Sequence, residues 1–202
     1  MHNFEAISYA YKNLPTEVLK KQKEVFKRLN LPIAQYIGDV SHGDFLENIL
    51  KTTNKEYIIF VDADCIPLVD SLYDIILGEI TKEKSIIGIE QTGQPRYHIY
   101  AGPACLALPV SVYHEIGQPS LNQTFRSDTA EELTWCCEER AIKVKYFKVS
   151  HVEQPRWRLG YDREFGIGTT YQYNNVDVLY HQFESRYDIQ PFINKCNSIL
   201  TS

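Results

Sequence analysis

The sequence predicts an α/β domain built on one doubly wound, mostly parallel sheet. Three observations carry that prediction. The first half alternates strand-like and helix-like segments in the order β-α-β-α-β, which favours right-handed crossovers and parallel neighbours. Tyr57–Val61 reads YIIFV, an apolar run that suits a strand buried on both faces. That run ends in Asp62-Ala63-Asp64, two carboxylates at the C-terminal edge of a strand, where open α/β sheets bind ligands.

Taken in order, Ala6–Tyr11 forms a first strand. Pro15–Leu29 is amphipathic, with Val18, Leu19, Gln22, Val25, Phe26 and Leu29 on one face and Lys and Glu opposite. Pro15 suits a first helical turn. Pro32–Ile37 is the second strand, Gly43–Leu50 a short helix, and Tyr57–Val61 the third strand. Leu68–Ile80 is helical, Ser85–Ile89 and Cys105–Leu108 are strands, and Val110–Ile116 is a helix closed by Gly117. Asp128–Ala141 is predicted as a helix, because Asp128 with Glu131 three residues on makes a capping box. Lys143–Val149 is a strand. The stretch 153–175 carries glycines and aromatics with little periodicity and is expected as a long loop, a lid or acceptor clamp. Val176–Tyr180 is a last apolar strand that ends at His181.

With 202 residues, 44% hydrophobic and 23% charged, the chain fits one globular domain spanning 1–202. The net charge of −5 and the lack of a basic block give no electrostatic footprint for nucleic acid. Five cysteines without a CxxC argue against a disulfide framework and a zinc site and for a reducing compartment. Residues 1–14 lack the basic and apolar regions of a signal peptide, and no stretch reaches the ~18 apolar residues of a membrane span. The expected location is cytoplasmic.

Asp62-Ala63-Asp64 offers hard oxygen ligands for Mn²⁺ or Mg²⁺, with room for phosphate oxygens. Two loop-start carboxylates followed by Pro67 would also cap a turn. Five segments together resemble the family 2 nucleotide-sugar glycosyltransferases, which have the GT-A fold. ISYAYKN (7–13) resembles their opening strand and nucleoside-receiving turn, which includes Ala10 and Tyr11. IGDVSHGD (37–44) is similar to the segment whose acidic residue bonds the base, here Asp39. YIIFVDAD (57–64) resembles the metal-binding DxD strand. GPACLALPVSVYHEIG (102–117) is similar to the family's strand–helix signature. DTAEELTWCCEERAIKVKYF (128–147) resembles the helix that supplies the catalytic base in inverting members.

This resemblance implies a metal-dependent glycosyltransferase that moves a sugar from a nucleotide-sugar donor, UDP being the commonest nucleotide, to an unknown hydroxyl acceptor with inversion. Asp64 and Asp62 would bind the metal, with His181 as third ligand and His151 as its competitor. Where the family has Glu-Asp, this chain has Glu131-Glu132, so Glu132 is the expected base, with Glu131 second; the longer glutamate arm could also leave Asp128 or Glu131 closer to the acceptor. Arg156 and Arg158 would pair with donor phosphates, and a second subunit could complete the acceptor site. The alternatives are a GT-A-like domain that binds without catalysis and, from the same strand–DxD pattern, a haloacid-dehalogenase-type phosphatase. Ile66 stands where that phosphatase pattern has Thr or Val, and two strands precede the motif. A sugar nucleotidyltransferase would need a Gly-rich, basic segment after the first strand, and SYAYKNLP is neither.

Overall fold

The alternation of apolar runs in the first half translates directly into layers. A computed structural model describes residues 2–93 and 97–201. β1 (Phe4–Tyr11), α1 (Thr16–Arg28), β2 (Ala34–Gly38), α2 (His42–Thr52) and β3 (Tyr57–Asp62) alternate as expected. β1 lies between β2 and β3 and parallel to both. Side chains alternate faces along a strand. Ile59 and Val61 therefore meet one helical layer, including Phe26 of α1. Ile58 and Phe60 meet the other, including Leu46 and Leu50 of α2. All four β3 residues are at most 2% exposed, each burial contributing about 1.5–3 kcal/mol.

The chain continues with β4 (Cys65–Pro67), α3 (Leu72–Lys82), β5 (Ser85–Thr92), β6 (Ile99–Pro109), α4 (Val110–Glu115), α5 (Glu131–Glu139), β7 (Lys143–Leu159), β8 (Arg163–Tyr173), β9 (Val176–His181) and α6 (Gln190–Thr201). The strand order is β2-β1-β3-β6-β5-β7-β8-β9-β4. β6 pairs antiparallel with both β3 and β5, and β5 pairs parallel with β7. Within the first six strands of that order, β6 alone runs against the rest.

Three expectations change. The helix expected from Leu68 begins at Leu72, because Cys65–Pro67 pairs with β9 instead. The helix expected from Asp128 begins at Glu131, because Ala130 adopts φ 64°, a left-handed geometry that cannot join a right-handed helix. The stretch 153–175 is not a long loop. It forms most of the antiparallel pair β7–β8, from Lys148↔Gln172 to Leu159↔Arg163. The two arms approach so closely that a Cβ on Gly166 would sit 1.9 Å from the Gln154 carbonyl oxygen.

α6, which the sequence reading did not anticipate, packs Phe192, Ile193 and Cys196 against Val18 and Val25 of α1. All five cysteines are free thiols. Among the described residues no helix is long and apolar enough to cross a membrane.

Candidate active site

The carboxyl end of β3 delivers Asp62, and the turn into β4 delivers Asp64. Gln22 of α1, fully buried, fastens this turn: its side-chain amide donates to the carbonyls of Asp62 (2.7 Å) and Cys65 (3.0 Å). β4 pairs antiparallel with β9 so that Cys65 faces His181. The Gln182 N–H also donates to the Asp64 carbonyl at 3.0 Å. This ladder carries the late strand's histidine 117 positions along the chain back to the carboxylates.

His181 Nε2 lies 3.2 Å from Asp64 Oδ1 and 3.8 Å from Asp62 Oδ2. Ser185 Oγ donates to Asp64 Oδ2 at 2.6 Å. His42, the first residue of α2, places Nε2 3.3 Å from Asp62 Oδ1. One ligand atom each from Asp62, Asp64 and His181 lies within 4.8 Å of the others. Phe183 meets the His181 ring edge-on at 4.0 Å. His181 Nδ1 is buried without a hydrogen-bond partner among the described residues.

Burial raises the Asp62 carboxyl above the ordinary aspartate range, opposed by His42 and His181. Burial also raises Asp64, but the charge and hydrogen bond of His181 and the Ser185 hydroxyl outweigh it, and Asp64 sits below that range. Two carboxylates and an imidazole converging this closely fit a divalent cation such as Mn²⁺, with coordination positions left for other oxygens.

These groups line a cleft of about 330 Å³. Ala10, Tyr11 and Ala63 line it. So do Gln91, Tyr100, Asp128 and Thr129 on one wall and Phe183 to Arg186 on another. Tyr11 accepts the His42 backbone N–H at 3.0 Å.

Other expected residues lie elsewhere. Asp39 is outside the cleft lining, ion-paired with Lys12 at an exposed rim. Arg156 and Arg158 do not line the cleft. Arg156 pairs with Glu184, which does, and lies over the Trp157 ring at 5.1 Å. Exposed His151 on β7 is not part of the carboxylate–histidine cluster.

The two glutamates expected as base lie outside this cleft lining. Glu132 pairs with Arg126 over a separate surface hollow that also includes Phe125 and Arg140. Glu131 is 1% exposed, its carboxylate turned inward to His98 and to the Asp128 backbone. Neither lines the cleft; α5 begins at Glu131, after Ala130 in a left-handed conformation. Asp128, expected to cap the helix and also as an alternative nearer the acceptor, lines the cleft. Its Oδ2 accepts from the Tyr100 hydroxyl at 3.0 Å and its Oδ1 from the Thr129 N–H at 2.8 Å. His42, Ser185 and Arg186 line the cleft without being expected from the sequence. The last two follow His181 by four and five residues, a proximity that the sequence displays.

No protein-family model and no curated protein sequence matches this chain. Solved structures do resemble it. The catalytic domain of Drosophila β1,4-galactosyltransferase 7, solved with xylobiose, is 13% identical at a TM-score of 0.55, covering 93% of this chain and 73% of that one. A mutant of the same enzyme was solved with manganese, UDP-Gal and xylobiose. A mannosyltransferase from Pyrobaculum calidifontis, solved with GDP-Man and Mn²⁺, is 7% identical at 0.55, covering 71% of this chain and 54% of that one. The 4-diphosphocytidyl-2C-methyl-D-erythritol synthase of Anaerococcus prevotii is 12% identical at 0.53, covering 100% and 97%. At these identities the likeness establishes the fold. It is the GT-A-type architecture that glycosyltransferases and nucleotidyltransferases share.

Proposed function

We propose that this protein is a metal-dependent glycosyltransferase that moves a sugar from a nucleotide-sugar donor, UDP-linked in the first instance, to a hydroxyl acceptor with inversion. The observation that carries the reading is the convergence of Asp62, Asp64 and His181 within 4.8 Å on a cleft at the carboxyl edge of the sheet. Asp62, Asp64 and His181 would hold Mn²⁺, or Mg²⁺. Bound there, the cation supplies Lewis-acid neutralisation of the diphosphate leaving group.

The chain's own groups divide the remaining work. Arg186 brings positive charge to the cleft for the phosphates. Ala10 and Tyr11 line the same cleft beside β2, where the nucleoside would lie. Asp128 takes the acceptor's hydroxyl proton on its carboxylate. Buried Tyr100 donates a hydrogen bond to that carboxylate and keeps its orientation.

A nucleotidyltransferase reading is favoured by the full-length likeness to the Anaerococcus synthase fold. The products separate the two. The purified protein is incubated with Mn²⁺, a panel of UDP- and GDP-sugars and a panel of simple glycosides, and in parallel with nucleoside triphosphates and sugar phosphates. Nucleoside diphosphate release that depends on the acceptor and is abolished by EDTA supports glycosyl transfer. Pyrophosphate release from a triphosphate supports nucleotidyl transfer and overturns the proposal. Donor binding with no product supports a binding domain.

A further inference from the structure

A buried carboxylate stands behind Asp128, and the transfer chemistry does not use it. Glu131 opens α5 and is 1% exposed. Burial of a carboxylate is tolerated where its charge is matched and its oxygens are used. Glu131 Oε1 lies 3.0 Å from His98 Nδ1, and Oε2 accepts the Asp128 N–H at 2.8 Å. His98 Nε2 reaches Glu138, one turn further along α5 from Trp135, at 3.2 Å. Carboxylates only accept, so bonding both at once uses both ring nitrogens of His98 as donors, which is the imidazolium form. The ring is also stacked on Trp135 of α5 at 3.6 Å and 14°.

A second element packs on the same carboxylate. Gly93, just past β5, leaves so little room that a Cβ there would sit 2.9 Å from Glu131 Oε2 and 3.3 Å from Asp128 Cβ. Gly93, just after β5, and His98, just before β6, thus both pack against the start of α5, while Thr134 accepts the Ala101 N–H at 3.1 Å from β6 itself.

We propose that His98 and Glu131 are positioning residues, which fasten the start of α5 to the β5–β6 connection and so fix the Asp128 carboxylate at the wall of the cleft. Glu131 fixes the Asp128 backbone through its N–H, and Tyr100 and Thr129 fix its side chain. Ala130, at φ 64°, has no side-chain cap to hold this corner. The inward bond of Glu131 substitutes for one. This inference rests on the role of Asp128 proposed above.

The test compares wild type with His98→Ala, His98→Asn and Gly93→Ala. Asn places an amide N–H near the Nδ1 position and keeps the bond to Glu131. Two readouts are taken: transfer kinetics with the donor that wild type turns over, and hydrogen exchange at the Asp128 amide. His98→Ala and Gly93→Ala are expected to lower kcat about 10- to 100-fold with donor KM unchanged, the usual consequence of loosened positioning. Exchange at Asp128 should quicken, while β1 and β3 keep their protection. His98→Asn should restore both readouts.

Unchanged kcat and unchanged Asp128 exchange in His98→Ala would overturn the inference. So would a parallel loss of kcat, donor affinity and protection across the sheet that His98→Asn fails to rescue, which marks a purely structural role. If wild type releases no nucleoside diphosphate from any donor, the transferase reading fails on that result. Exchange at Asp128 in His98→Ala against His98→Asn then decides the positioning by itself.

Discussion

Replacing Asp128 with Asn removes a proton acceptor and little else. The carboxylate accepts from the Tyr100 hydroxyl at 3.0 Å and from the Thr129 N–H at 2.8 Å. The Asn carbonyl oxygen can keep the Thr129 bond, and its amide can face Tyr100, whose hydroxyl oxygen accepts as well as donates. Burial and the neighbouring Asp128 hold the Tyr100 hydroxyl far above its usual pKa, so it stays protonated in either variant. The fold and the Asp62–Asp64–His181 cluster are untouched. The expected change is therefore a fall in kcat of about 10² to 10⁴, or roughly 3–5 kcal/mol on the barrier. Glu132→Gln is the paired control, because that side chain meets Arg126 at the surface, away from the cleft. It should leave kcat within about 2-fold of wild type. Initial-rate measurements of nucleoside diphosphate release at saturating donor and acceptor, with donor affinity from calorimetry, provide the comparison. Near-normal turnover in Asp128→Asn, or a large loss in Glu132→Gln, would refute the assignment and return the base to Glu132.

Further outcomes follow from the same geometry. His181→Ala should weaken Mn²⁺ binding by at least about 10-fold and His151→Ala should not, as read by manganese titration; equal effects would remove His181 from the site. Burial lowers the His98 pKa, but its bonds to Glu131 and Glu138 outweigh that and raise it above the ordinary value of 6.5. A raised cationic group stabilises the fold fully below its unfolded pKa and loses that contribution as pH rises through the folded one. The melting temperature of wild type should therefore exceed that of His98→Ala most below about pH 6.5, the gap narrowing at alkaline pH; a gap that widens with pH would contradict the ion-paired His98. Gly166→Ala puts a methyl group 1.9 Å from the Gln154 carbonyl oxygen. It should cost about 1–3 kcal/mol, and an unchanged thermal melt would contradict the hairpin packing.

Much of this architecture is legible in the residues because burial leaves a pattern. Ile58 to Val61 are apolar without a break since both faces of β3 are covered. The stripe on α1 includes Gln22 because its amide reaches the site turn. The β7–β8 hairpin was hidden for the opposite reason. From Ser150 to Arg158 β7 is mostly exposed, carries Pro155 and breaks register at two places, so no strict alternation marks it as a strand. The site was half legible. Asp62, Asp64 and His181 each end a strand or its turn, where fold topology gathers ligands. Asp128 was legible first as a cap, because the spacing Asp128–Glu131 promises a capping box. The Glu131 side chain does bond the Asp128 N–H, but Ala130 turns left-handed and α5 begins three residues later than expected. Both glutamates lie outside the cleft lining and the aspartate lies in it. No local pattern of residue types announces a left-handed alanine.

The most direct test of the central claim is calorimetry of UDP binding with and without Mn²⁺, in wild type and in Asp64→Ala. Asp64 sits in a turn outside the hydrophobic core, and among the described residues its side chain bonds His181 and Ser185. The variant should therefore fold, as circular dichroism will show. Wild type is predicted to bind UDP only when Mn²⁺ is present, and Asp64→Ala should lose at least about 100-fold of that affinity, roughly 2.7 kcal/mol. Equal UDP affinity with and without the metal, or metal-dependent binding preserved in Asp64→Ala, would contradict a metal–diphosphate site at Asp62, Asp64 and His181.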